Sequence, residues 1–461
     1  MTQAAFTWDQ DLIDRYDLSG PRYTSYPTAP QFHNLISEQD IHQALARSDA
    51  SQRPLSIYCH IPFCDTVCYY CACNKIITAN KARAVPYLER LFREMRQMAE
   101  RIDVSRPVDQ LHWGGGTPTY LSLEQMTALM QHTRSLFNLH NDDSGEYALE
   151  IHPASVTPAT IKGLRALGFN RLSMGIQDFD ARVQKAVNRF NSVEEVTALT
   201  RAARDVDYHS ISMDLIYGLP HQSVQSVSST LDQVLALAPD RLSLFNYAHM
   251  PHLFKVQKQL DERALPAAAE KLDMLHMAID RLTREGYVYI GMDHFARPDD
   301  ELARAQAAGQ LHRNFQGYAT HGHCDLLAFG VSAISQIDNL YLQNHKAIED
   351  YDAALDAGAS PVAKGFLMSQ DDELRKAVIM ALICQFELDF ARIEQQFGIQ
   401  FNDYFGAALA ALQPMQADGL LSLTDRRIRV KPAGRLLIRR ICMAFDAYIP
   451  ANTEQRFSRI I

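Results

Sequence analysis

The sequence predicts an α/β protein built on a partial (β/α)6, TIM-like barrel with an N-terminal extension and a mainly helical C-terminal domain. Three observations carry that prediction. Six short β-rich runs alternate with helical stretches between residues 55 and 285. Polar or glycine-rich residues stand at the end of the runs, and the alternation stops near residue 300. Parallel neighbours need helical crossovers, so the alternation implies a parallel sheet. Ligands of such sheets collect at the carboxyl ends of the strands. An open, doubly wound sheet fits the same alternation, but its ligands gather at one switch point. Here site-like residues follow strand after strand, which favours the barrel.

The elements follow in order. Residues 1–50 read as an extension or lid. LSIYCHI (55–61) is the first strand, followed by a cysteine-rich loop and a helix from about 82 to 102. DQLHW (109–113) is the second, ending at Gly114-Gly115-Gly116, with a helix near 122–137. YALEIH (147–152) is the third, with a helix after Thr157-Pro158. RLSMGI (171–176) is the fourth, with helices over 180–206. SISMDLIYG (210–218) is the fifth, with a helix over 223–237. RLSLFNY (241–247) is the sixth, with a helix over 266–285. The barrel is thus assigned to 51–300. Residues 301–364 read as a motif-rich connecting segment, and 312–335, dense in His, Gly and aromatics, as loop. Residues 365–461 read as the C-terminal domain, with a small β-ribbon around 420–431 before a basic helix.

Composition narrows the function. A chain of 461 residues is too long for one small core. Its formal charge of -9 offers no global basic field to nucleic acid, so an anionic substrate would have to meet locally placed Arg and Lys. No apolar run approaches the roughly 18 residues of a membrane helix, and the acidic start lacks the order of a signal peptide. A cytoplasmic location without membrane partners is expected. Eight cysteines, four of them clustered, read as metal-binding or catalytic rather than as a disulfide framework.

The cluster is CDTVCYYCAC (64–73), with Cys64, Cys68 and Cys71 at C-x3-C-x2-C and Cys73 one step beyond. Three thiolates on one loop can hold three corners of a cube-shaped iron–sulfur cluster and leave one iron open. The competing reading is a structural zinc on the same cysteines with His60. Zinc sites more often join two C-x2-C pairs from separate turns, and no second Cys/His pair recurs nearby. Tyr58, Tyr69 and Tyr70 would exclude water around a cluster. GGGTPT (114–119) is either a tight turn or exposed backbone for a ligand; without a G-K-[ST] ending it is not a phosphate loop. Glu150, Gln177 and Asp214 are polar residues at strand ends, each weak alone, and Arg189 in VNRF could be a helix-surface charge.

The three-cysteine loop after a first strand, with Tyr70 just before the third cysteine, resembles the radical S-adenosylmethionine superfamily. The longer strings are more specific. GPRYTSYPTA (20–29), YCHIPFC (58–64), LHWGGGTPTYL (111–121), GFNRLSMGIQDF (168–179), DLIYGLP (214–220), PDRLSLFNYAHMP (239–251), IGMDHFARPDDELA (290–303), LHRNFQGY (311–318) and GRLLIR (434–439) resemble the oxygen-independent coproporphyrinogen III oxidase (dehydrogenase) family over nearly the full length.

The resemblance implies a [4Fe–4S] cluster on Cys64, Cys68 and Cys71, whose open iron binds S-adenosylmethionine. It implies Tyr58, Tyr70, Gly115, Glu150 and Ile334 around that molecule. Gly116, Thr117, Gln177, Arg189, Asp214 and Ala248 are implied for a second one. Cys73 is implied in substrate-side chemistry. The implied reaction converts two propionates of coproporphyrinogen III to vinyl groups through a 5′-deoxyadenosyl radical. Each propionate loses a hydrogen atom, CO2 and an electron, giving protoporphyrinogen IX in haem biosynthesis. An electron-donor protein and an electron acceptor are implied partners, and a monomer is expected. A related haem-chaperone branch shares HIPFC and GGGTPT but usually lacks a cysteine at position 73 and the PRYTSYPTA extension; it stands as the alternative, with a radical enzyme acting on RNA disfavoured by charge. Arg22, Arg297 and Arg313, in motif-dense loops, are candidates for the substrate carboxylates. Cys59 stands where the family pattern suggests an aliphatic residue and is read as a packed strand cysteine.

Overall fold

The computed structural model describes residues 6–449 and 459. These form two compact units, each discontinuous in sequence. One holds 33–278 and 323–367; the other holds the described residues of 1–32, 279–322 and 368–461. The boundaries read from sequence at 50, 300 and 364 fall elsewhere, because periodicity locates elements but not which distant elements share a core.

The first unit is the barrel. Its core strands are β1 (Leu55–Ile61), β2 (Pro107–Gly115), β3 (Glu146–Ile151), β4 (Arg171–Gln177), β5 (Ser210–Tyr217) and β6 (Arg241–Asn246). They pair in parallel in the order β6-β5-β4-β3-β2-β1. Beyond β1 lie β7 (Asp325–Phe329), parallel to it, and then the antiparallel strands β8 (Ile334–Ile337), β9 (Leu340–Asn344) and β10 (Val362–Leu367). The partial (β/α)6 barrel therefore gains a seventh parallel strand. This corrects the loop reading of 312–335. DLLAF (325–329) is buried at every position, and a short all-buried strand shows no alternation.

Four of the crossover helices begin where Ser or Thr side-chain caps stand. Ser122 with Gln125 and Ser192 with Glu195 form capping boxes before Leu123–Leu136 and Val193–Arg204. Such a cap stabilises its helix by about 1 kcal/mol. Along β1 and β2 one side is apolar and buried, with Ile57, Cys59, Ile61, Leu111 and Trp113 wholly covered. The helices cover this side with Leu88, Leu91, Met95 and Leu129, also buried.

The opposite, barrel-inward side is polar. Near the amino ends of the strands, Ser56 Oγ donates to Gln110 Oε1 at 2.9 Å and Gln110 Nε2 donates to Glu146 Oε1 at 2.9 Å. Arg171 Nε stands 4.0 Å from Glu146 Oε2. Burying these groups is tolerable because they are paired, with one another and, for Arg171, with Asn170 Oδ1 at 2.7 Å.

In the second unit, helices Gln370–Gln385, Phe390–Phe397 and Gly406–Ala417 surround the stacked rings of Phe390 and Phe401, 4.0 Å between centroids. The ribbon expected around 420–431 is Leu421–Leu423 paired with Arg427–Val430, joined by Glu387–Asp389. The N-terminal segment is stitched into this unit. Buried Arg439 donates to the carbonyls of Gly20 and Pro21, and Tyr23 Oη donates to Asp446 Oδ2 at 3.0 Å. A short hairpin, His312–Asn314 with Gly317–Ala319, also belongs here. Among the described residues no helix is long and apolar enough to cross a membrane.

Candidate active site at the carboxyl ends of the strands

The cysteine loop begins where β1 ends and is fastened at both sides. Phe63–Cys64 pairs in parallel with Ile76–Ile77, closing the loop at its neck. Thr117 N–H donates to Phe63 O at 2.9 Å and Gly116 N–H to Ile61 O at 2.8 Å, tying the loop to the glycine-rich end of β2. On its far side, Asn188 Nδ2 donates to Val67 O at 2.8 Å and Tyr69 N–H to Val187 O at 2.9 Å. Tyr69 and Tyr70 pack against Val183, Val187, Leu219, Tyr247 and Leu260. The aromatic residues thus anchor the loop as well as shield it.

One cavity at the carboxyl ends of the strands is lined by Cys64, Cys68, Cys71 and Cys73 together with Tyr70, Gly115, Gly116, Thr117, Glu150, Gln177, Arg189 and Asp214. These come from the cysteine loop, β2, β3, β4, β5 and the turn after helix Ala181–Val187. That helix ends with Asn188 in the left-handed region at φ 53°, and the reversal sends Arg189 back toward the strands.

His60 is not available as a metal ligand. Its Nε2 donates to Asn74 O at 3.0 Å, so its Nδ1 accepts from Tyr58 Oη at 3.1 Å. Burial pulls its pKa below the ordinary value and keeps it neutral. The zinc alternative loses its fourth ligand.

Charge is distributed unevenly. Cys71 is held down to about 6, first by a hydrogen bond with the Cys73 thiol and then by the Lys75 ammonium beside it. The same hydrogen bond keeps the proton on Cys73. Burial pushes the Cys64 thiol up. Arg189 Nη1 lies 3.8 Å from Cys68 Sγ, and its Nη2 donates to Gly175 O.

Enclosure by the cavity walls opposes a charge on Glu150, but His112 Nε2 at 3.2 Å and Gly115 N–H at 3.3 Å hold its carboxyl below the ordinary range. Gly115 reaches it at φ 114°, a conformation that favours glycine. Burial pushes Asp214 up to about 6, although Ser173 Oγ donates to it at 2.8 Å.

The donor set fits a cluster and a polar ligand. Three thiols of one loop share a cavity with a guanidinium whose Nε is buried without a partner among the described residues. Glycines keep the walls clear: a Cβ on Gly114 would stand 2.7 Å from Glu150 Oε1, and one on Gly175 2.7 Å from Arg189 Nη2.

Three residues expected at S-adenosylmethionine lie outside the lining. Tyr58 stacks on His112, 5.8 Å between ring centroids, and so stands behind Glu150. Ala248 is exposed after β6; its carbonyl accepts from Gln257 Nε2, which also donates to Tyr70 O at 3.1 Å. Ile334 opens β8 opposite Gln343.

The three arginines are all in the second unit. Arg22 pairs with Asp293, and Arg297 Nε stands 3.6 Å from Asp299. Arg313 is buried, lies over the Tyr318 ring, and leaves Nε and Nη1 without a partner among the described residues. Burial, with the Arg22 and Arg313 charges, pushes Arg439 down to about 9.

Sequence reasoning missed His112, Ser173 and Lys75. The available signal for His112 was register: it pairs across β1 with Tyr58, so both share a side of the sheet.

Residues 58–234 match the family model of the Radical SAM superfamily, and 368–437 that of the HemN C-terminal domain. An oxygen-independent coproporphyrinogen III oxidase of Pseudomonas aeruginosa is 53% identical over 98% of this chain and 99% of its own length. Its namesakes in Salmonella typhimurium and Escherichia coli are 49% and 48% identical over 100% of both chains. The solved structure of coproporphyrinogen III oxidase (HemN) from Escherichia coli, described as a radical SAM enzyme, is 47% identical. It matches with a TM-score of 0.92 over 96% of this chain and 100% of that one. With that likeness spanning both units and the cysteine loop, the chain belongs to the family of oxygen-independent coproporphyrinogen III oxidases, in the radical SAM superfamily.

Proposed function

We propose that this protein converts two propionates of coproporphyrinogen III to vinyl groups by oxygen-independent oxidative decarboxylation, yielding protoporphyrinogen IX in haem biosynthesis. One observation carries the reading: three thiols of a single loop share a cavity with Glu150, Asp214 and Arg189. A [4Fe–4S] cluster with S-adenosylmethionine would supply a 5′-deoxyadenosyl radical, which takes the unactivated propionate hydrogen that no side-chain base can remove.

The chain's own residues bind and orient. Cys64, Cys68 and Cys71 are the proposed cluster ligands. Tyr58, Tyr70, Gly115, Glu150 and Ile334 are proposed for the S-adenosylmethionine at the cluster. Within that set, the stack of Tyr58 on His112 fixes the ring that holds Glu150, so the carboxylate would be already oriented to hold a cationic amine. Gly116, Thr117, Gln177, Arg189, Asp214 and Ala248 are proposed for a second molecule. Arg189 offsets negative charge at the thiolates. Cys73 keeps its proton and is accessible, which supports a role on the substrate side rather than as a ligand.

Arg22, Arg297 and Arg313 are proposed to meet propionates; the unpartnered donors of Arg313 support it best. An electron-donor protein and an electron acceptor would complete the redox balance. Action as a cytoplasmic monomer, without nucleic-acid or membrane partners, completes the proposal.

The test is an anaerobic incubation of cluster-loaded protein with coproporphyrinogen III, S-adenosylmethionine and a reductant. Release of CO2 with 5′-deoxyadenosine, and protoporphyrin after oxidation, is the expected outcome. Haem transfer without CO2 would instead favour the chaperone alternative.

A further inference from the structure

The strands that carry the cavity at their carboxyl ends bring together, near their amino ends, a second group of side chains of the types that ligate metals. Asp109 is the third residue of β2, and His323 and Cys324 immediately precede β7. Asp109 stands six residues before Gly115, so along an extended strand the two places are about 20 Å apart. The sheet register builds the grouping. Leu55 of β1 pairs with Asp325 on one side and Val108 on the other, which brings the two strand starts level. Val108 also pairs with Leu139, which places His140 beside them.

One donor atom each from Asp109, His323 and Cys324 lies within 4.8 Å of the others. His323 Nε2 is 3.6 Å from Asp109 Oδ2, too long for a hydrogen bond. It suits two ligands of one ion: zinc bond lengths in a tetrahedral site put neighbouring donor atoms about 3.3–3.6 Å apart. The other carboxylate oxygen, Oδ1, is engaged by His140 Nε2 at 2.9 Å. A hydrogen bond of that kind from outside orients a ligating carboxylate. A plain ion pair between His323 and Asp109 would explain neither the thiol beside them nor the separation.

We infer that Asp109, His323 and Cys324 form a separate zinc site, with His140 positioning the carboxylate and solvent completing the coordination. A mixed oxygen, nitrogen and sulfur donor set selects a borderline-soft divalent ion over magnesium or calcium. Binding replaces the thiol proton with the metal and joins the start of β2 to the start of β7. The site therefore acts on stability rather than on turnover.

The experiment uses cluster-loaded protein, so that the cysteine loop is already filled. It is equilibrated anaerobically with zinc chloride and passed over a chelating resin. Zinc and iron per chain are then measured by plasma mass spectrometry, with Tm by calorimetry. The wild type should retain about one zinc per chain with unchanged iron, and a raised Tm. Cys324→Ser and His323→Ala should each weaken zinc retention by at least roughly tenfold, and His140→Ala by a similar factor through loss of orientation. His323 is exposed, so its variant keeps the test decisive if Cys324→Ser folds poorly. No zinc on the wild type, or equal zinc on both ligand variants, overturns the site.

Discussion

The two ends of the barrel interior use the same inward-facing positions for opposite purposes. Near the amino ends, Ser56, Gln110, Glu146 and Arg171 bind one another and leave little for a guest. Near the carboxyl ends, two positions further along β2 and four along β3, His112 holds Glu150, which lines a cavity. There Asp214 carries a raised pKa, and Arg189 keeps a donor without a partner among the described residues. The difference is polar satisfaction. A closed network fixes the strands; an open one holds binding capacity at the cost of some stability.

The largest effect expected at the open end is on chemistry alone. Cys64→Ala, Cys68→Ala or Cys71→Ala should abolish cluster absorbance and turnover, while the unfolding transition of the cluster-free chain moves little. Cys73→Ala should keep the brown chromophore and lose turnover. A colourless Cys73→Ala protein would move that residue into the ligand set.

At the closed end the expected effect is on stability. Arg171→Met removes the guanidinium 4.0 Å from the buried Glu146 carboxylate, and breaking a buried pair in this way costs about 3–5 kcal/mol. Denaturant unfolding measures it. The double variant Arg171→Met/Glu146→Leu should recover most of the loss. If the single variant is as stable as the wild type, the two ends are not the contrast described.

The third effect is smaller and of opposite sign. Asp214 is raised from the ordinary carboxyl range to about 6 by burial. A raised carboxyl favours folding fully below its unfolded pKa, and that contribution is lost as pH rises through about 6. Above pH 6 the charged Asp214 therefore weakens the fold, by an upper limit of roughly 3 kcal/mol. Asp214→Asn should raise Tm at pH 8, not at pH 4, in cluster-loaded protein without S-adenosylmethionine, while turnover falls. A Tm gain equal at both pH values would remove the charge explanation.

Much of this was legible in the sequence. The first six strands of the parallel series stand where alternation placed them, because their inward polar and outward apolar residues repeat with period two. Four of the helices begin at Ser and Thr caps that are readable as letters. β7 was hidden because a strand buried on both sides carries no period, and its neighbours are rich in His and Gly. The cysteine loop was legible because its proposed ligands are local. His112 and Arg439 were not, because their importance lies in partners 38 and more than 400 residues away. The division into units was obscured for the same reason: residues 20–21 find their partner at Arg439.

The smallest effect lies on the outer side of β1, where neither end's logic applies. Cys59 is wholly buried there, between Tyr58 and His60, which both point inward. Burial pushes its thiol far above the ordinary value, so it is neither a thiolate nor a ligand. It fills space as a small apolar group would. Cys59→Val changes volume slightly and keeps the surface apolar, so it should shift stability by less than about 1.5 kcal/mol. Iron content and turnover should match the wild type. Loss of iron in Cys59→Val would mean that the outer packing of β1 sets the geometry of the loop that follows it. The separation between an inward side that works and an outward side that only packs would then fail at the residue where it is cleanest.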